Sequence, residues 1–579
     1  MYRLILMASV FMFLSACDGP SPTPEEDLAE LERVLDSQEL KANTQNALGL
    51  TSTVDAALTA EVNRRRAAVG LPPRRPFVSS RQSPEPIARH AVSPINTERY
   101  ARIESNPVQR VTAQPVSTFS IDVDTASYSN VRRWLQAGNL PPTDAVRVEE
   151  FINYFDYEYA MPESPATPFL VHTEVGPAPW NSDTYLVQIG VKGYGVEWFD
   201  APPANLVFLI DVSGSMGSPD KLPLVKKSLQ LLTRQLRPKD KVAIVVYAGA
   251  AGLVLPSTSG ARKGTIMTAI GSLEARGSTN GGEGIRLAYQ LAADSFVTGG
   301  INRVIIATDG DMNVGVVDVR DLEDLVARNR ATGISLTTLG FGTGNYNSEL
   351  MESLADIGNG NAAYIDNLVE AHRALVRNMA STLLTIAEDV KVQVEFSPLV
   401  AEYRLIGYEN RLLDEADFAN DKVDAGEIGA GHSVTALYEV ALLGSEGVRL
   451  RPRRYGPTYT PEAEGALTEL AFVKLRYKHP GSDQSIQMST PILAKDAKKT
   501  LSDTSDDFRF AAAAAAFGQQ LRGGTYLGGF DYTDIRNLAA GARGPDLLGD
   551  RNALLSLVQI AESLTLPAGS SSFAALSNH

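Results

Sequence analysis

The chain has 579 residues, 44% hydrophobic and 21% charged, which at about 150 residues per domain means three or four units with most of the chain folded. Its formal net charge is −15 at pH 7, and its basic clusters, "RRR" at 64–66 and "RPRR" at 451–454, are short enough to be solvated surface. Nucleic acid is thereby excluded as a partner, because phosphate binding needs an extended basic surface.

The chain opens "MYRLILMASVFMFLSAC", with one charge at Arg3 and then thirteen uncharged residues. That stretch is too short to span a bilayer and suits a signal-peptide core over residues 1–16. Leu14-Ser15-Ala16-Cys17 resembles the bacterial lipobox, which implies a lipid-anchored protein whose several acyl chains on Cys17 hold it stably to a membrane. Asp18 resembles the signal that retains such proteins on the periplasmic face of the inner membrane, the outer membrane being the alternative. Cys17 is the chain's single cysteine, so neither an internal disulfide nor a thiolate zinc site is available.

Residues 17–116 mix Pro, Ser, Thr and charge around two short helical patches, "EEDLAELERVLDSQEL" and "TVDAALTAEVNRRRAAVG". They read as a largely disordered tether. Residues 117–203 form an N-terminal flanking α+β region: the strand "TFSIDVD", helices at "TASYSNVRRWLQAG" and "PPTDAVRVEEFINYFDYEY", and the alternating pair "PFLVHTEVGPAPW" and "TYLVQIGVKGYG". In "IDVDTASYS", Asp124 and Thr125 are expected to cap the following helix.

From 204 to 388 apolar strands alternate with amphipathic helices, the pattern of a doubly wound, mostly parallel sheet covered on both faces. The last helix, 368–387, is expected to run directly into a strand. Residues 389–498 return to antiparallel strands, too few for a comfortable sandwich unless the strands of 168–195 complete it. The α/β domain then sits as an insertion in one β-sandwich. Residues 499–579 close the chain as a helical region.

Ligands of a doubly wound sheet collect at the C-terminal ends of its strands. "NLVFLIDVSGSM" brings Asp211, Ser213 and Ser215 to such an end, "ARGSTNGGEG" places Thr279 before a helix, and "VIIATDGDMNVG" brings Asp309 to the end of a later strand. Two carboxylates and three hydroxyls are hard donors that suit Mg²⁺, Mn²⁺ or Ca²⁺ and disfavour zinc or copper.

"DVSGSM", "GSTN" and "TDGDMN" in this order resemble the metal-ion-dependent adhesion site of von Willebrand factor type A domains. The resemblance implies a metal site at Asp211, Ser213, Ser215, Thr279 and Asp309, with an open position that an Asp or Glu of a protein partner fills. "TFSIDVDTASYSNVRRWLQAG", "VRVEEFINYFDYEY" and "YRLIGYENR" are similar to segments flanking this domain in a group of bacterial lipoproteins of unknown biochemical role. The expected protein is a non-enzymatic, membrane-anchored envelope binder. Its alternatives are a scaffold with a structural metal and a metal-dependent hydrolase, for which Asp311 and Glu283 are the carboxylates near the site by loop position. "GFGTGNYN" at 340–347 reads as a loop beside the metal site, and the six scattered histidines read as surface or individually satisfied core groups.

Overall fold

The computed structural model describes residues 28–29, 31–35, 56–73, 97–248, 251–277, 281–310, 319–451, 453 and 468–566. It divides into a short N-terminal unit, Met1–Ser93, and a large one, Pro94–His579. In the first, helical residues 31–35 and helix α1 (Ala56–Ala68) enclose Leu28, Leu35 and Val62, and Arg66 pairs with Glu32. The two helical patches expected in the tether therefore pack on one another. Cys17 and the signal-peptide segment lie outside the described residues. Among the described residues, no helix is long and apolar enough to cross a membrane.

In the large unit, order starts earlier than expected. Residues 97–116, assigned to the tether by composition, are held by tertiary contacts: Arg99 bridges to Asn347, Asn106 Nδ2 donates to the carbonyls of Leu405 and Gly407, and β1 (Gln109–Arg110) pairs with β12 (Val400–Ile406).

The sandwich draws strands from both sides of the α/β domain. One sheet runs β1-β12-β15-β4-β3, so β3 (Phe169–Ala178) and β4 (Asn181–Gly193) pair onto β15 (Ser433–Leu442). The other runs β13-β2-β11-β16-β17, with β2 (Val116–Ser120) between β13 (Leu412–Leu413) and β11 (Thr385–Phe396). Here β16 is Glu469–Lys478, β17 is Ser485–Leu493, and β14 (Gly426–Gly429) pairs with β11 off the path. Alternate residues of both sheets, among them Phe119, Val187, Ile189, Val191, Val392, Val394, Tyr438 and Val473, share one buried core, as two sheets packed face to face require.

A helical layer covers the outer face of the first sheet. It comprises α2 (Ala126–Gln136), α3 (Val148–Asn153), α11 (Asp506–Leu521), α12 (Tyr532–Gly541) and α13 (Asp550–Thr565). The run Ala511–Ala516 of α11 is wholly buried; side chains this small let the surrounding helices approach closely.

The inserted domain has a six-stranded sheet in the order β10-β9-β8-β5-β6-β7. Strands β5 (Ala204–Asp211), β6 (Lys241–Tyr247), β8 (Ile301–Thr308), β9 (Ser335–Phe341) and β10 (Ala362–Ile365) are parallel, and β7 (Ala251–Ser259) is an antiparallel edge. All eight residues of β5 and of β8 are buried, as covering by α4 (Leu222–Gln235), α5 (Lys263–Gly271), α6 (Gly281–Asp294), α7 (Val319–Arg330) and α8 (Ser348–Ile357) demands.

The domain's exit differs from the single helix 368–387 expected. It is α9 (Leu368–His372), a π-turn Arg373–Arg377 and α10 (Met379–Leu383), and β11 starts at Thr385. Arg373 bonds the Tyr154 carbonyl and lies 3.8 Å over the Tyr154 ring, an anchor located at the widened turn. The direct entry into a sandwich strand is present, because Thr385 and Ala387 already pair with Gly429 and Ile428.

Asp124 and Thr125 do not cap α2 with their side chains. The Asp124 carboxylate turns to the inserted domain and accepts from Ala362 N at 2.9 Å, while Glu150 Oε2 accepts from Ser127 N at 2.7 Å in the first turn of α2. Buried charge joins the two parts at the same place. Arg411 contacts Asp122 at 3.2 Å, Asp124 at 3.7 Å and Asp356 of α8 at 2.8 Å, and Arg132 contacts Asp366 at 2.5 Å and Glu370 of α9 at 2.8 Å.

Candidate metal centre

The chain leaves β5 for β6 and β7 on one side and returns to β8 on the other. The crevice between the ends of β5 and β8 is therefore the topological switch point, where ligands of such sheets bind. Asp211 is the last residue of β5, and Asp309 directly follows β8.

Both carboxylates are fully buried, Ser213 is 2% exposed and Ser215 faces solvent. Asp211 Oδ1 accepts from Ser213 N at 2.8 Å, and Asp211 Oδ2 accepts from Thr308 Oγ1 at 3.2 Å. The hydroxyls of Ser213 and Ser215 lie 3.0 Å apart. Four of the five expected residues thus lie at the ends of two adjacent strands, Asp211, Ser213 and Ser215 after β5 and Asp309 after β8.

Thr279 and Asp311 lie outside the described residues. The chain just before Thr279 is nevertheless tied to the serine loop: Arg276 N donates to Val212 O at 2.6 Å and Gly214 N to Gly277 O at 3.0 Å. Glu283, on the first turn of α6, is exposed.

Lys221, which motif reading does not single out, is part of the site. Its Nζ donates to Asp309 Oδ2 at 2.9 Å and to Asn345 Oδ1 at 3.0 Å, and its side chain is 8% exposed. The stem runs against Gly342, where a Cβ would meet it at 2.3 Å. The "GFGTGNYN" loop is thereby placed beside the site. The ammonium stands at the N-terminal end of α4, where the helix dipole disfavours a cation; a lysine there needs a carboxylate partner, and that conflict is the sequence signal for its role.

The two carboxylates differ in electrostatics. Burial pushes Asp211 up to about 6, against the hydrogen bonds from Ser213. For Asp309, burial is outweighed by the hydrogen bonds from Lys221 and Asn345 and by the Lys221 charge, which hold it below the usual carboxylate range. Asp309 thus stays ionised, and a cation arriving at Asp211 favours its ionised form too.

The donor set fits a hard divalent ion. Among the described residues no group of three or more His, Cys, Asp or Glu is placed to hold a metal, so a site here depends on the serine hydroxyls, which Mg²⁺, Mn²⁺ and Ca²⁺ accept. Among the histidines, His432 departs from the satisfied core group expected. Its Nδ1 is buried without a hydrogen-bond partner, and burial, then the Lys192 charge, lowers the ring to about 4.

Gly310 sets the path of the Asp309 loop. Its φ is +90°, and a Cβ there would sit 2.4 Å from Asn347 N and 2.9 Å from Tyr346 Cα. Gly310→Ala is expected to cost about 2 kcal/mol or more in urea unfolding and to weaken Mg²⁺ binding; wild-type stability and affinity would show that the loop tolerates a side chain.

A von Willebrand factor type A domain model matches residues 205–378, a von Willebrand factor model matches 94–188, and a model described as "Uncharacterized protein YfbK, C-terminal" matches 381–564. The chain is 45% identical over 485 residues to uncharacterized protein YfbK of Escherichia coli (strain K12), covering 83% of either chain. It is 32% identical over 167 residues to human inter-alpha-trypsin inhibitor heavy chain H4, 26% of this chain and 18% of that protein. Among solved structures, a von Willebrand factor type A protein from Catenulispora acidiphila aligns with 68% of this chain and 89% of its own at 16% identity and a TM-score of 0.39.

Proposed function

The chain belongs to the family of von Willebrand factor type A proteins represented by YfbK, and from that premise we propose that it is a lipid-anchored cell-envelope protein that captures a carboxylate of a protein partner. Residues Asp211, Ser213, Ser215, Thr279 and Asp309 would hold the divalent cation, and Cys17 would carry the anchor. The observation that carries this reading is the gathering of Asp211, the Ser213–Ser215 hydroxyl pair and Asp309 at the switch point of the sheet. A bound Mg²⁺, Mn²⁺ or Ca²⁺ supplies a positive centre with a position open to an incoming carboxylate.

The chain's own residues prepare that centre. Ser213 N and Thr308 Oγ1 fix the Asp211 carboxylate. Lys221 orients Asp309 and neutralises part of its charge, which leaves the ion short of anionic ligands and attractive to a partner's Asp or Glu. Ser215 keeps the outer side of the site open to solvent. The ion pair also supports capture over a purely structural metal, because Asp309 has a counter-charge within the protein.

The reading is non-catalytic. Its test is a pull-down from envelope extract with the intact protein and with Asp211→Ala, in Mg²⁺ and in EDTA. Partners are expected that need both Asp211 and Mg²⁺; recovery of the same proteins under all four conditions refutes metal-mediated capture.

A further inference from the structure

A second recognition surface lies at the pole of the inserted domain opposite the candidate metal centre. Asp211 and Asp309 stand at the C-terminal ends of β5 and β8, whereas this surface surrounds the N-terminal ends of β5 and β6, about 25 Å away along an eight-residue strand. Its middle is a shallow depression of about 550 Å³ walled by Phe199, Pro238, Lys239, Ala261 and Lys263, and none of its lining residues is acidic.

Phe199 is 73% exposed, and the loop that carries it is fastened. Arg237, itself 4% exposed, donates to the carbonyls of Trp198, Ala201 and Pro202, lies 4.1 Å over the Trp198 ring and pairs with Asp240. Trp198 Nε1 donates to Gln235 O at 3.2 Å, and Lys239 Nζ to Ala201 O at 2.7 Å. The residues on both sides of Phe199 are thus held in place while its ring stands in water. A lone exposed apolar side chain is ordinary; one presented by a pinned loop is a preformed contact.

Cations surround the ring. Arg234 lies in the last turn of α4, Lys239 precedes β6, Lys241 begins it, and Arg262 and Lys263 lead into α5. Lys263 Nζ donates to Arg234 O, and Lys241 pairs in register with Ser259, which keeps the five together. Among the described residues none of the five is in an ion pair, and all but the half-buried Lys263 are exposed. The loop itself adds two exposed carboxylates, Glu197 and Asp200, so cations remain in excess here on a chain whose net charge is −15.

We propose that this surface rests on an anionic phospholipid membrane, with the Phe199 ring entering the interface and the five cations on headgroup phosphates. The cations come from separate elements around one ring instead of lining a slot for an acidic peptide. Three are lysines, point charges on flexible stems that suit a diffuse anionic layer, whereas recognition of single carboxylates favours arginine. Apolar insertion joined to electrostatic attraction is how interfacial segments hold to membranes. The membrane is also the surface nearest a chain anchored at Cys17, a point that rests on the function proposed above. Docking in this way turns Asp211, Ser215 and Asp309 away from the bilayer, toward a partner in solution.

The test uses the full chain with Cys17→Ser, which carries no lipid, and an environment-sensitive nitrobenzoxadiazole label on Ala261→Cys or, as the control at the opposite pole, on Thr343→Cys; both positions are exposed. It is titrated in EDTA with vesicles of equal parts phosphatidylcholine and phosphatidylglycerol, with vesicles of phosphatidylcholine alone, and with polyglutamate. The label at 261 is expected to shift to the blue with the anionic vesicles only and to return as salt is raised, while the label at 343 stays unchanged. Lys239→Gln/Lys241→Gln/Lys263→Gln is expected to raise the lipid needed for half the shift at least about tenfold, each cation near such a surface contributing about fivefold. Phe199→Ser is expected to raise it as well. No shift at 261, an equal shift with neutral vesicles, or indifference to the lysine variant overturns the surface. Indifference to Phe199→Ser overturns insertion of the ring, and a shift at both labelled positions overturns the orientation. Polyglutamate moving the label as strongly as the vesicles overturns lipid as the occupant. Lipid modification and metal are both absent from the assay, so failure of the anchor or of the metal site leaves its outcome unchanged.

Discussion

Replacing Arg411 by Met is expected to cost about 3–5 kcal/mol in urea unfolding, the scale set by breaking a buried ion pair from one side. The guanidinium serves three carboxylates from two other parts of the chain: Asp122 and Asp124 after β2, and Asp356 at the end of α8. Its side chain is 12% exposed, those of Asp122 and Asp124 are 3% and 4% exposed, and that of Asp356 is 39% exposed, so the larger part of the cost falls on the Asp122 and Asp124 pairs. Burial, and next the charge of Asp122, already push Asp124 well above the usual carboxylate range, with Arg411 opposing the shift. Removing Arg411 leaves these acids to be protonated or hydrated where the sandwich meets the inserted domain. Asp124→Asn placed in the same chain should recover part of the loss, since the two residues share one network. A cost below about 1 kcal/mol would mean that the cluster does not fasten the domain.

The second large effect falls on the candidate metal centre. Asp211→Ala is expected to lower Mg²⁺ affinity by at least about a hundredfold, more than loss of an outer-shell partner costs, as read by titration calorimetry. The melting temperature should move by only a few degrees, because Asp211 is held by hydrogen bonds from Ser213 and Thr308 rather than by an ion pair. Lys221 and Asp309, which do form one, remain in place. A collapse of the fold in this variant would instead favour a structural site.

The inserted domain was legible because its signal is local. Each strand is a continuous apolar run, each site segment sits where such a run ends, and Asp211 and Asp309 end adjacent parallel strands. The sandwich could be inferred from incomplete sets of strands on either side. Its use of β2 could not, because five residues, "VSTFS", show no preference for β11 and β13 over other partners. Residues 97–116 look like linker by composition, and their order comes from partners nearly 250 to 300 positions away, such as Asn347 and Leu405. Asp124 has the local features of a cap, but the inserted domain presents the Ala362 amide to it, and long-range geometry prevails over local propensity. For Lys221 the local signal, a cation at a helix start in "SPDKL", does not say which carboxylate answers it; that partner lies 88 residues ahead.

Under the proposed function the candidate site holds one divalent ion with a position free for a carboxylate. Electron paramagnetic resonance of Mn²⁺ titrated into the full chain, with water proton relaxation recorded in the same samples, tests it directly. The expected result is one Mn²⁺ per chain that keeps exchangeable water, loses part of that water when an Asp-containing peptide is added, and is not retained by Asp211→Ala. Absence of stoichiometric Mn²⁺ binding, equal binding by Asp211→Ala, or a bound ion with no exchangeable water would contradict it.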